Sequence, residues 1–231
     1  MKIWIREADE IDFDKNLENI LYGENKSVKK SLEQNTLGIC APKGIGKTFL
    51  LKVKRKRVQE TGARCLPDNA MVDNINAFDI NHQLNSFLSE FKNWVQIWEY
   101  ALAISIIKSS GFDFFKDKSI YDDLKKETKF LLNNPIYNRT LQIMSYLLSR
   151  EKKELTAMLF DRSNLLCFVD SDKVHSSLCI FIDKVDQAMS NQSIDYRFNR
   201  DFEEDVMFTN FWKYSQYALH IAACNFYSFL K

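Results

Sequence analysis

The stretch that most limits what this chain can fold into is LGICAPKGIGKTFLLK, residues 37–52. Two of the chain's six glycines, Gly44 and Gly46, stand here separated by Ile45 alone, and Lys47 and Thr48 follow at once. The compact apolar run TLGICA, at 36–41, has polar neighbours on both sides and fits a fully buried parallel strand. The run KTFLLKVKRKRVQETG that comes after the glycines fits a helix closed by Gly62. A buried strand, a glycine turn and a helix in that order specify a strand-to-helix unit of an α/β fold.

The rest of the chain is consistent with one sheet and many helices. With 231 residues, 45% of them hydrophobic, it can bury a substantial core. Three prolines and six glycines are few for that length, which favours long helices over a turn-rich all-β fold. A lead-in strand, KIWI, and polar helices are expected over residues 1–35, and a second short strand at ARCLP, 63–67. From about 80 to 170 the pattern is helical throughout, with Leu84, Phe87, Leu88, Phe91, Trp94, Ile97 and Trp98 at helical spacing. Strand character returns at SLCIFID, 177–183. A polar loop is expected over 190–205, and an apolar-faced helix runs to the last residue.

Several classes of function lose support from composition. Lys and Arg number 32 against 31 Asp and Glu, so charge balance gives no general pull toward nucleic acid or membrane. The basic run KVKRKR, 52–57, fits the solvated face of the helix better than a nucleic-acid patch. Cys40, Cys65, Cys167, Cys179 and Cys224 show no metal-ligand spacing and read as reduced, mostly buried thiols. No secretory leader and no membrane-length apolar run are visible, so the expected location is the cytoplasm.

The window APKGIGKT, 41–48, matches the phosphate-loop pattern GxxxxGK[ST] except at its first position, where Ala41 replaces glycine. Each part has a physical role. Backbone N–H groups curl around an anion, and the helix start adds positive potential. Gly44 and Gly46 supply backbone angles closed to larger residues. Lys47 is expected to reach the β- and γ-phosphates and Thr48 to hold Mg²⁺. Pro42, Lys43, Gly44, Ile45, Gly46, Lys47, Thr48 and Phe49 are the expected nucleotide-contact residues. The competing reading is a surface turn with a chance GKT.

A second acid is needed to orient Mg²⁺, and LCIFIDKVDQAM supplies one. Asp183 closes an apolar strand, where an ionised carboxylate is costly to bury unless something cationic meets it. Asp186, three residues on, is a candidate to polarise an attacking water. Lys184 stands where an acid usually follows, which weighs against fast hydrolysis. The competing reading of Asp183 is an N-cap of the next helix.

Together, GICAPKGIGKTFLLK and IFIDKVDQA resemble the P-loop ATPases of the STAND/KAP-like, AAA-like superfamily found in bacterial conflict and anti-phage systems. The helices WVQIWEYAL and FWKYSQYALHIAA are similar to that group too, and the likeness spans roughly residues 36–225. It implies an α/β fold: a P-loop NTPase parallel sheet flanked by helices, with a large helical insertion (80–170) between the second and third strands of a core over 36–231. It also implies ATP and Mg²⁺ as cofactors, with Lys47 and Thr48 on phosphate and metal, Asp183 as the second-motif acid and Asp186 as a catalytic acid. Trp94 and Trp98 are not carried over and read as helical core. Such ATPases continue into a sensor strand and arginines that reach a neighbour, whereas this sequence stops inside an apolar helix. The expectation is therefore an N-terminal part of a larger protein, a shortened product, or a complete chain that borrows its missing parts from a partner. Arg197 and Arg200 read as solvated loop residues. The leading function is Mg²⁺-dependent ATP hydrolysis that controls self-assembly or a protein partner. A non-catalytic nucleotide-binding scaffold and a small-molecule phosphotransferase are the alternatives.

Overall fold

The computed structural model describes residues 30, 32, 46–68, 70, 72–109, 118–170, 178–185, 215, 217–219, 221 and 222. The expected first strand at 36–41, the loop residues Pro42, Lys43, Gly44 and Ile45, and Asp186, Arg197 and Arg200 lie outside the described residues.

Helix α1 spans Lys47–Glu60 and leads into strand β1, Arg64–Leu66. Gly62, at a left-handed φ of 85°, ends the helix as the sequence leads one to expect, its N–H donating to the Gln59 carbonyl at 2.9 Å. β1 pairs in parallel with β2, Leu178–Ile180, with Cys65 opposite Cys179. Pro67 has no N–H to continue the ladder. The chain leaves the sheet there and returns at Asp73, which bridges Ile182 in parallel. Asp73 N–H donates to the Phe181 carbonyl at 2.7 Å, and Asp183 N–H donates to the Asp73 carbonyl at 2.8 Å.

Among the described residues every element between β1 and β2 is helical: a 3₁₀ turn at His82–Leu84, then α2 (Asn85–Leu88), α3 (Phe91–Ser109), α4 (Lys118–Asp123), α5 (Lys126–Asn133), α6 (Thr140–Leu148), α7 (Lys152–Leu159) and α8 (Arg162–Asp170). The helical spacing runs on from Leu84 through Trp98, but the chain breaks at Ser89 and Glu90. Side chains from the next helix satisfy the carbonyls freed there: Trp94 Nε1 donates to Leu88 O at 2.8 Å and Asn93 Nδ2 to Phe87 O at 2.6 Å. A second break, at Ser149–Glu151, separates α6 from α7.

α3 is the axis of the main core. It is apolar nearly all round, as a helix enclosed on every side must be. Trp94, Ile97, Trp98 and Tyr100 are fully buried, against Leu141, Ile143, Met144, Leu155, Met158 and Leu165 of the neighbouring helices. Ser215, Ala218 and Ala222 are also buried, and Trp98 Nε1 donates to Ser215 Oγ at 3.2 Å. A polar chain crosses this core: Tyr100 donates to Thr128, and Thr128 to Asp161. Among the described residues no helix is long and apolar enough to cross a membrane.

Because strand side chains alternate, the two-stranded sheet has two different faces. Cys65, Cys179 and Phe181 pack with Val58 and Leu51 of α1. Leu178, Ile180 and Ile182 pack on the helical core. Asp183, next in the alternation, falls on the α1 side, and Asp73, partner of Ile182, on the helical side.

Candidate functional site

The site is built where α1 begins. Gly46 adopts φ 81° and ψ 29°, the left-handed region. A Cβ added there would meet nothing within 4 Å, so backbone angle and not space requires glycine. Its carbonyl accepts the first helical bond, from Leu50 N–H at 3.0 Å. The first turn of α1 carries no acidic residue of its own, so the carboxylate that meets the positive potential of its start comes from elsewhere in the chain, from Asp183. Lys47 and Thr48 are half-buried at this start. Phe49, by contrast, has its side chain in the core, so its place at a ligand is limited to its backbone.

The two motifs meet through Thr48. Its Oγ1 donates to Asp183 Oδ2 at 2.6 Å, across 135 residues of sequence. Asp183 is only 7% exposed. It is held from both directions: Thr48 engages its carboxylate, and the Asp73 carbonyl accepts its N–H. The residue after it, Lys184, takes φ 59°, the left-handed region that non-glycine residues seldom occupy. The strand therefore ends abruptly at Asp183, and Lys184 turns the chain.

Asp73 is a residue that sequence reasoning missed. It is 1% exposed, and its Oδ2 accepts from Leu141 N–H at 2.9 Å, at the start of α6. α6 has no capping side chain of its own, because Arg139 occupies the N-cap position. Burial pushes the Asp73 carboxyl up to about 6, although the helix N–H groups and Arg139 act in the opposite direction. The only sequence signal was one short apolar pair, Met71–Val72, ahead of an acid.

The basic run is a correction to the sequence reading. Lys52, Lys54 and Arg55 are buried, not solvated. Arg55 Nη2 donates to the carbonyls of Cys65 at 2.9 Å and Pro67 at 2.8 Å, and its guanidinium lies 5.9 Å from the Phe181 ring. It closes the end of β1, where the ladder has stopped. The signal was present in the spacing: Leu51, Arg55 and Val58 form one helical stripe facing the sheet. Of that run only Arg57 is exposed. Cys167 is exposed as well, against the expectation of burial, while Cys65 is buried.

Thr48 and Asp183 offer hard oxygen donors, the kind that suits Mg²⁺, which often takes one or two protein oxygens with the remainder from phosphate and water. Among the described residues no cluster of three or more His, Cys, Asp and Glu side chains exists to hold a metal by itself. Scans against protein-family models and searches of curated proteins and of solved structures give no match to this chain.

Proposed function

We propose that this chain is an Mg²⁺-dependent ATP-binding and hydrolysing module of the P-loop NTPase type, acting in the cytoplasm and controlling self-assembly or the activity of a protein partner. The observation that carries this reading is the 2.6 Å bond between Thr48 and Asp183. Two sequence motifs far apart in the chain supply its two ends. A chance GKT on a surface turn gives no reason for a strand-end acid far along the chain to meet its threonine.

The chemistry follows from the positions. The α1 start and Lys47 favour the negative charge of the phosphates. Thr48 and Asp183 are the residues that would hold Mg²⁺; the ion, when bound, offsets charge on the β- and γ-phosphates. In-line attack by water is the reaction class, with Lys47 and the loop amides favouring charge that develops on the transferred group. Asp186 is the residue proposed to polarise that water.

Lys184 favours a second reading. Its left-handed backbone and its basic side chain occupy the position after Asp183 where a hydrolase normally carries an acid. On this reading the site binds nucleotide as a switch or scaffold without turnover. One experiment separates the readings: titration calorimetry with ATP and Mg²⁺, followed by phosphate-release and ADP-release assays with and without small-molecule acceptors. Binding with phosphate release selects the ATPase. Binding alone selects the scaffold. ADP release that depends on an acceptor selects a phosphotransferase, and absence of binding contradicts all three.

A further inference from the structure

Asp73 touches both sides of the sheet end. Its backbone carbonyl accepts Asp183 N–H at 2.8 Å, and its N–H reaches back to the Phe181 carbonyl at 2.7 Å. Its carboxylate points the other way, where Oδ2 accepts Leu141 N–H at the start of α6. The other oxygen, Oδ1, is buried and has no hydrogen-bond partner among the described residues. Leaving a carboxylate oxygen so placed is costly. In return Oδ2 supplies the acceptor that the start of α6, with Arg139 at its N-cap, lacks from its own side chains.

The arrangement around α6 is equally specific. Thr140, the first residue of the helix, donates from Oγ1 to Ser105 Oγ of α3 at 2.9 Å. Leu141, the donor to Asp73, is itself fully buried in the main core. The start of α6 is thus fixed to the axis of the helical unit on one side and to the strand end on the other. Hydrogen bonds therefore run without a gap from Asp183 N–H through the Asp73 peptide and carboxylate to the first turn of α6.

We infer that Asp73 is a positioning residue for the Thr48–Asp183 pair, clamping the Asp183 backbone to the start of α6 so that occupancy of the metal position is felt by the helical unit between the two strands. This inference rests on the nucleotide reading above and adds its regulation: the helical unit is the part of the molecule that responds. A residue that fixes the backbone of a metal-holding aspartate acts on metal affinity more than on phosphate contacts made elsewhere.

The test compares ATP binding by calorimetry, in EDTA and in Mg²⁺, for the wild-type chain, Asp73→Ala and Asp73→Asn. In the wild type Mg²⁺ is expected to tighten ATP binding. Asp73→Ala, which removes the acceptor for Leu141 N–H, is expected to lose about tenfold of that Mg²⁺-dependent gain and to leave the affinity in EDTA unchanged. Asp73→Asn, which keeps an oxygen acceptor, is expected to retain the gain. A purely structural role would weaken both affinities together. An undiminished gain in Asp73→Ala overturns this inference alone. Absence of ATP binding by the wild type in both buffers overturns the nucleotide reading and this inference with it. Should Asp73→Ala fail to fold, amide exchange in the wild type decides: Mg²⁺ added to the ATP-bound protein is expected to slow exchange of the Leu141 amide, and unchanged exchange overturns the inference.

Discussion

Thr48 Oγ1 lies 2.6 Å from Asp183 Oδ2, with Asp183 7% exposed and the hydroxyl on the second residue of α1. A carboxylate so enclosed depends on each donor it has. Thr48→Val keeps the shape and removes the hydroxyl, so it should destabilise the chain by about 1–3 kcal/mol. Thr48→Ser should restore most of that loss. Urea unfolding in metal-free, nucleotide-free buffer measures both; equal stability of the Val variant would mean that the bond contributes nothing to the fold.

Asp73 predicts a pH dependence whose sign is set by burial. Its carboxyl is raised from 3.8 to about 6 in the folded chain. Between those two values the folded state holds a proton that the unfolded state has released. The unfolded state therefore binds fewer protons, and stability falls as pH rises through the window, then levels off above it. Asp73→Asn should remove this slope, keep the bond from Leu141, and be the more stable protein at neutral pH by up to about 3 kcal/mol. Urea unfolding of both proteins at several pH values, without Mg²⁺, gives the difference directly; parallel curves would contradict it.

Arg55 predicts a loss that charge alone does not repair. Its guanidinium serves two carbonyls at once and lies near the Phe181 ring. Lysine offers a point charge and lacks the planar guanidinium that reaches both carbonyls from Nη2 beside that ring. Arg55→Lys should cost about 2 kcal/mol, and Arg55→Met somewhat more because both carbonyls lose a donor. Thermal unfolding distinguishes this from a solvated arginine, for which both changes would be nearly silent.

Lys184 predicts a gain. A side chain at φ 59° is in a conformation that costs roughly 1–2 kcal/mol relative to the right-handed region. Glycine removes that cost but loosens the unfolded chain, which returns part of it. Lys184→Gly should be more stable by up to about 1 kcal/mol, and Lys184→Val clearly less stable. Calorimetric unfolding of the two variants checks the ordering, and a more stable Val variant would refute it.

What the sequence disclosed and what it withheld divide along physical lines. β1 and β2 were legible because short apolar runs bounded by polar residues have few other uses, and Gly62 was legible because its position after the helix calls for a left-handed angle. Thr48 and Asp183 were legible as types at the right kinds of element, and their contact was an expectation that followed from chemistry. The break after Leu88 was hidden, because the groups that make it tolerable, Trp94 Nε1 and Asn93 Nδ2, belong to the next turn and read simply as helix. Arg55 was hidden because an isolated basic run looks solvated unless the stripe through Leu51 and Val58 is followed. Asp73 was hidden because its pairing depends on a return to the sheet after Pro67, a tertiary event with no local pattern.

The most direct measurement is ATP titration of the wild-type chain and of Lys47→Ala in the presence of Mg²⁺, by isothermal calorimetry. Binding by the wild type and its loss in Lys47→Ala are the predicted results, since Lys47 stands at the first position of α1 beside the Thr48–Asp183 pair. Undiminished affinity in Lys47→Ala, or no binding by the wild type, would contradict the reading of this helix start as a phosphate site.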